Sequence, residues 1–575
     1  MRQLSKYDAP GLRARGCQFW ASILLCVLLL GGASPGCHVF GGADHPNAPA
    51  RFEQMVGQAP VGQAATNSGT LWYQLEVGPN RLMVHIRLLK PPRRTTFFLP
   101  AQWAGSADYA DAIQIHGARV PDGLAPYTID RSSGRIEVES NQARWVQLDY
   151  SVALSPRTDH FSRFHPRFAD QLFFAYGPAF LILPSAQIID TIRDIPIEIH
   201  APSDWQMLST WSAHKRSPSK TSTETTVHGY LAETPAALRD AFVVGGPHLV
   251  IESIPEDASI TLGFDPRIQV NREQFGASIT QILGAYRQRF GELGSVSAYM
   301  RRVVSEDAQE HLGVGRHGGF VLEIRDRAPN THGPDDAGLD PQILLLLAHE
   351  AFHMWNGHSL TPAPETEPST RWFKEGFTHY MAIKTLAELG LFSREEILAE
   401  LDKSGEHYLR NPAAGATMRR DSSAVDRARL PYDRGVLLAL AIDTFLTTHS
   451  NGRLSAQDWF RALMNNLAER HQPYRAGHLR AAFVTSAEQA GASAAEAGEF
   501  WRAHVDAQRP LEPETIFRRA GLHWLNPPSQ LEATEQANAS QQKTRRLLRL
   551  KLANSPFEYL FPTPHTAQRL EPHVP

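Results

Sequence analysis

Two histidines four residues apart, with a glutamate directly after the first, stand at 349–353 of this 575-residue chain: His349-Glu350-Ala351-Phe352-His353. On a helix, positions i and i+4 share one face, so both imidazoles reach a single cation. Glu350 lies about 100° further around the axis, where it reaches a water beside the cation and not the cation itself. The pattern alone is weak, because 25 histidines make a chance match a real risk. The third ligand decides. Catalytic zinc takes three protein ligands and keeps one position open. Glu375, in Trp372-Phe373-Lys374-Glu375-Gly376-Phe377-Thr378, lies on the next expected helix after a Pro-rich loop, and Gly376 beside it permits close packing. Alone, Glu375 reads as a salt-bridged helix glutamate; beside the paired histidines it reads as the third ligand of one Zn2+. Zinc brings the pKa of its water to about 7. Glu350 then takes the proton as the water attacks a carbonyl carbon, and passes it to the leaving amine. The developing oxyanion needs a further donor. Tyr432, in Tyr432-Asp433-Arg434-Gly435, is the candidate, and a packing role is its alternative.

These residues need a rigid scaffold. Asp340 is an N-cap and Pro341 a first-turn residue for a helix that is apolar all round at 343–347, and therefore buried. A second helix is expected over 369–389, closed by Gly390. Ser393 with Glu396 and Ser455 with Asp458 open further helices, so 394–521 is mostly helical. Upstream, the pattern changes to short strands at Leu71–Val77, Arg81–Leu89, 136–139 and 145–151, with Gly78-Pro79-Asn80 as a turn. Strands near 195–200 and 241–254 extend that set. Arg272–Phe290 reads as a helix, and 299–304 and 320–324 as strands.

The length excludes a single core. The expected fold is an α+β multidomain: an N-terminal β-sandwich-like domain at 69–262, a zinc catalytic domain at 263–391 and a C-terminal α-helical domain at 392–522. A loosely ordered tail is expected at 523–575. The formal net charge of −3 gives no reason to expect a nucleic-acid partner. All three cysteines, Cys17, Cys26 and Cys37, lie in a leader at 1–37 in which a basic stretch precedes the apolar run 19–30 and then small residues. That is the layout of a secretory signal, with Cys37 as a loose lipoprotein site. A linker follows at 38–68. The body is expected to be exported, periplasmic or attached to a membrane through the N-terminus or a lipidated Cys37.

His349-Glu350-Ala351-Phe352-His353-Met354-Trp355-Asn356, the segment 372–378 and Tyr432-Asp433-Arg434-Gly435 together resemble the glycyl aminopeptidase family of gluzincin metallopeptidases. Leu99-Pro100-Ala101-Gln102-Trp103-Ala104-Gly105-Ser106 is similar to that family's proline–tryptophan–glycine segment. The resemblance implies a β domain, a thermolysin-like domain and a helical domain. It also implies zinc on His349, His353 and Glu375, Glu350 as base, and Tyr432 at the oxyanion. One stretch departs. Where the family carries a glycine-rich segment ending Glu-His, with the acid holding the substrate's amine in related aminopeptidases, this chain has Gly313-Val314-Gly315-Arg316-His317-Gly318-Gly319. A guanidinium repels an ammonium group. Arg316, His317, Gly318 and Gly319 are therefore expected to contact substrate with altered N-terminal amine recognition, Arg316 favouring an anionic group or an endopeptidase mode. Glu323 is a more distant source of the missing carboxylate. The PDZ module usual for the family is not expected after Gly521. The expectation is an exported peptidase acting on peptide substrates. The alternatives are a zinc hydrolase of another bond type on the same scaffold, or a non-catalytic zinc- or peptide-binding lipoprotein.

Overall fold

The computed structural model describes residues 71–524, apart from 101–102, 104–107, 156–163, 214–218, 221–224, 304–311, 326–338, 412–423, 469, 471 and 507–509, together with 550–552 and 560–561. The expected leader with Cys37, the linker and most of the tail lie outside the described residues.

The β portion is built by strict alternation. In Leu71–Val77 the side chains of Leu71, Tyr73 and Leu75 are buried while Trp72, Gln74 and Glu76 turn away. In Arg81–Leu89 the buried set is Leu82, Val84, Ile86 and Leu88. The turn between them closes with Gly78 N–H donating to the Arg81 carbonyl at 3.0 Å. These two strands sit in the middle of a nine-stranded sheet that also contains Trp145–Ala153 and Ile195–Pro202. Two four-stranded sheets share its core, Phe97, Ile136 and Val138 from one and Phe173, Ala175 and Val243 from the other. The mixed α+β class and the sandwich-like layering expected from the strand pattern are what the chain adopts.

The sheet that carries the site has five strands, in the order Val250–Ile254, Asp257–Phe264, Val296–Val303, Gly319–Arg325 and Leu312–Arg316. Two of these correct the expected division at 262, because Val250–Ile254 and Asp257–Phe264 pair into this sheet and not with the β domain. The helix Arg272–Phe290 is the crossover that lets Asp257–Phe264 run parallel to Val296–Val303. Nothing in the local pattern of 241–264 distinguishes one sheet from the other; only the long-range pairing does.

Pro341–Phe352 starts where its cap predicts, with Asp340 Oδ1 accepting from Gln342 N–H at 2.8 Å. The second helix is less regular than expected. It runs as Glu367–Arg371, then a π turn at Trp372–Phe377, then Thr378–Glu388. Gly390, at φ +69°, ends it. Both expected capping boxes form, at Ser393 with Glu396 and at Ser455 with Asp458. Tyr432 lies within Ala424–Ser450 and not at a helix head, since the helix runs through Pro431. The described parts of the tail are docked, against the expectation of loose order. Leu550–Leu552 pairs with Leu522–Trp524, and Leu560 and Phe561 are buried. The Leu560 carbonyl accepts from Lys384 Nζ at 2.5 Å, and the same ammonium holds Asp443 at 2.7 Å. A buried lysine needs such partners, and the tail supplies one of them.

Candidate active site

His349 lies in the last turn of the buried helix and His353 is its C-cap, and their Nε2 atoms stand 3.1 Å apart. Glu375 Oε2 comes from the π turn to 3.4 Å from His353 Nε2 and 3.9 Å from His349 Nε2. The three ligand atoms thus lie within 4.8 Å of one another. Atoms bound about 2.0–2.2 Å from a tetrahedral zinc stand roughly 3.3–3.6 Å apart, so the set fits that ion. The second bond of His353 is also fitting: its Nδ1 lies 3.0 Å from the Asn356 carbonyl, which fixes the tautomer that turns Nε2 to the metal. The charges agree. Burial drives His349 well below its ordinary value, so it is a neutral donor. Burial would raise Glu375, but the hydrogen bond and charge of His353 outweigh it and hold the carboxyl well below the usual range. Glu375 in turn raises His353 in spite of burial.

Asn356 ties the ligand-bearing elements together. Fully buried, it donates from Nδ2 to the Phe373 carbonyl at 2.8 Å and to Thr378 Oγ1 at 3.1 Å, on the two sides of Glu375. Its own carbonyl orients His353. Asn356→Ala is expected to weaken zinc binding about 10–100-fold, the usual effect of losing an outer partner, with the fold intact; competition with a chromogenic chelator measures it.

The π turn displaces Glu375 from the ordinary helical path, a common device at functional sites. It is held by a close crossing of two glycines. A Cβ on Gly376 would stand 2.4 Å from Gly435 Cα and 2.5 Å from the Tyr432 carbonyl, and one on Gly435 would meet Trp372 O at 2.2 Å. That contact carries Tyr432 to the His-His-Glu cluster, its ring stacked on His349 at 6.0 Å. Burial and the neighbouring, hydrogen-bonded Glu375 push the phenol well above its ordinary value, so it remains a donor. Tyr432→Phe is expected to lower kcat about 10²–10³-fold with little change in KM, the effect of losing one oxyanion donor. Steady-state kinetics with a peptide checks it.

Glu350 stands apart from the ligand cluster, as the 100° offset requires. Burial pushes it up to about 7, against the pull of His353 and Arg316. A carboxylate at that value suits a proton acceptor at neutral pH. The edge strand Leu312–Arg316 lies directly on it. The Gly315 N–H bonds to Glu350, and a Cβ on Gly313 would overlap the Glu350 carboxyl at 2.2 Å. Glycine at 313, and the close fit at 315, let a strand that pairs on one side only among the described residues run beside Glu350.

The remaining expected contacts are placed differently. Gly318, at φ +73°, and His317 form the turn after the edge strand. Gly319 packs on Ser297, whose carbonyl a Cβ would meet at 1.9 Å. Packing of the hairpin explains these two glycines, and neither is brought to the ligand cluster. Glu323 is buried in an ion pair with Arg301, and its neighbour Val321 packs away from the catalytic helix, so it does not replace the missing acid. Arg316 is 8% exposed and its Nη1 donates to Asp240 Oδ1 at 2.6 Å. Its charge is therefore taken up within the chain and not offered to an anion. His358 sits on the other carboxylate oxygen of Asp240 at 3.3 Å. Burial lowers both His358 and His379 to about 4, and the His379 ring lies 5.6 Å from that of His349.

Asp240, Trp103, Asn356 and the pair Gly313 and Gly315 belong to the site and were not assigned to it from the sequence. Asn356 and the glycines stand inside the stretches that carry the resemblance, a usable signal. Asp240 follows a β-domain helix, Pro235–Arg239, and nothing local marks it.

A buried His-His-Glu cluster beneath a glycine-bearing edge strand, with an adjacent uncoordinated glutamate, is the site of a zinc metallopeptidase, and the comparisons with known proteins agree. Residues 342–479, which contain both histidines, Glu350, Glu375 and Tyr432, match the family described as M61 glycyl aminopeptidase. The match is confined to this segment, and it is in line with the gluzincin resemblance. Among solved structures the chain is similar to an aminopeptidase N family protein from Idiomarina loihiensis, with 15% identity, coverage of 80% of this chain and 79% of that one, and a TM-score of 0.64. It is also similar to an M1 zinc metallopeptidase mutant from Deinococcus radiodurans bound to a Tyr-Ser-Ala substrate, with 14% identity, coverage of 78% and 95%, and a TM-score of 0.50. A third, a two-domain M1 zinc metallopeptidase mutant bound to L-arginine, shows 13% identity, coverage of 78% and 95%, and a TM-score of 0.51. At these identities the likeness is one of fold. No curated protein matches.

Proposed function

We propose that the protein is an exported peptidase that hydrolyses peptide bonds, with one zinc ion on His349, His353 and Glu375, Glu350 as general base and Tyr432 as oxyanion donor. The observation that carries this reading is the meeting of the three ligand atoms within 4.8 Å, with Glu350 excluded from the set. A zinc ion in such a set supplies Lewis acidity and brings the attacking water near pKa 7. The chain's own groups do the rest. The edge strand Leu312–Arg316 offers unpaired backbone groups on which a peptide can lie as an added strand. Its glycines keep that peptide against the base. Glu350, raised to about 7 by burial, accepts the proton of the attacking water and returns it to the leaving nitrogen. The Tyr432 hydroxyl, kept protonated by burial and by Glu375 beside it, donates to the oxygen that gains charge.

Export rests on the leader at 1–37, which would place the body outside the cytoplasm, with Cys37 as a lipidation site and hence a membrane attachment. Among the described residues no helix is long and apolar enough to cross a membrane. Recognition of a free amine is altered in this reading, since Arg316 stands beside the site. The reading is tested by offering the zinc-loaded protein a peptide library beside ester and epoxide substrates. Cleavage of peptides with turnover lost on chelation is expected. Cleavage of esters or epoxides but not peptides would make it a hydrolase of another bond type, and zinc at full stoichiometry with no substrate cleaved would leave only a binding role.

A further inference from the structure

The Arg316 guanidinium lies in a cage. Asp240 Oδ1 accepts from its Nη1 at 2.6 Å, the Trp103 ring covers it at 4.5 Å and the Tyr176 ring at 5.2 Å. Trp103 and Tyr176 are themselves in edge contact at 5.2 Å. One carboxylate and two aromatic faces are the ordinary means of holding an organic cation. Each comes from the β portion, whereas the cation comes from the last residue of the edge strand. The cage is not a well-satisfied structural pair: Arg316 Nε and the Tyr176 hydroxyl are buried with no hydrogen-bond partner among the described residues. Its position matters for substrate. Arg316 follows Gly315, whose N–H bonds to Glu350, and Asp240 also faces His358, whose Nε2 lies 3.7 Å from where a Gly315 Cβ would be. Burial lowers His358 to about 4, and the Arg316 guanidinium holds Asp240 below its ordinary value in spite of burial. Among the described residues the carboxylates shown against this strand are all engaged: Glu350 beside the metal ligands, Glu323 with Arg301 and Asp240 with Arg316.

We infer that Arg316 is a specificity-determining residue that fills, from within the chain, a cation cage made by Asp240, Trp103 and Tyr176. The subsite along the edge strand therefore takes peptides presenting no free ammonium group there: blocked N-termini or internal segments. The inference rests on the peptidase reading for its substrate and on the cage geometry for its binding. A free amine meets no available carboxylate, because Asp240 is already paired with Arg316. Emptying the cage exposes Asp240 and reverses the preference.

Two variants and two readouts test this. In Arg316→Gln the amide keeps a hydrogen bond to Asp240 while the charge is gone; in Arg316→Ala the cage is vacated. The ratio of kcat/KM for a peptide with a free N-terminus to that for its N-acetylated form is measured in each. It is expected to lie below one in the wild type and to rise about tenfold or more in Arg316→Gln, the scale of one nearby opposite charge. Separately, methylguanidinium at millimolar concentration is expected to raise the Tm of Arg316→Ala and not that of the wild type, a readout that needs no turnover. A wild-type preference for the free amine, or an unchanged ratio in zinc-loaded Arg316→Gln, overturns the specificity role. Absence of a selective methylguanidinium effect on folded Arg316→Ala overturns the cage. If no peptide is hydrolysed by any form, the peptidase reading fails while the Tm arm still decides the cage.

Discussion

Glu350→Gln is expected to retain one zinc per chain and to lose turnover by about 10³-fold, within the range for a positioned general base. The exchange conserves shape, which matters because Gly313 leaves no spare room against this side chain. The amide oxygen can still accept from Gly315 N–H, so the edge strand stays in place. What is lost is the ability to hold a proton between attack and departure of the amine. Metal content by mass spectrometry and kcat on one peptide, taken on the same preparation, check both halves. Activity within tenfold of the wild type would remove Glu350 from the reaction.

Glu375→Ala is expected to lower zinc affinity by more than about a hundredfold, beyond what loss of an outer partner costs. Turnover should vanish at ordinary zinc concentrations. The reason is electrostatic as well as geometric. Glu375 is the only carboxylate of the ligand set, and it is held ionised by His353. Without it two neutral imidazoles remain, in a buried place that disfavours a dication. Folding should survive, because Gly376 and Gly435 still set the helix crossing. Isothermal titration with zinc and a thermal melt separate the two effects. Wild-type affinity in this variant would mean that the third ligand lies elsewhere.

Much of this was legible in the chain because it depends on local rules. The i, i+4 histidines, the Asp340 cap with Pro341, the capping boxes at Ser393 and Ser455 and the alternation in Leu71–Val77 each follow from a few neighbouring residues. Glu375 was legible through its segment and through the need of zinc for a third donor. The rest depends on contacts between distant parts. The π turn at Trp372–Phe377 is set by Gly435, more than fifty residues on in sequence, which permits the crossing at Gly376. Arg316 read as a free cation because Asp240 and Trp103 reach it from the β portion. Val250–Ile254 and Asp257–Phe264 read as β-domain strands because strand pairing leaves no local mark. The tail read as loose because Leu560 and Phe561 gain their burial only against the helix of Lys384.

In the proposed site His349, His353 and Glu375 hold one zinc ion and leave a place for solvent. X-ray absorption at the zinc edge on the purified protein tests it most directly. The account predicts one zinc per chain, with two imidazole nitrogens and carboxylate and solvent oxygens at about 2.0–2.2 Å, and a first shell that changes in Glu375→Ala but not in Glu350→Gln. A protein that carries no stoichiometric zinc, or whose zinc shell is unchanged in Glu375→Ala, would contradict it.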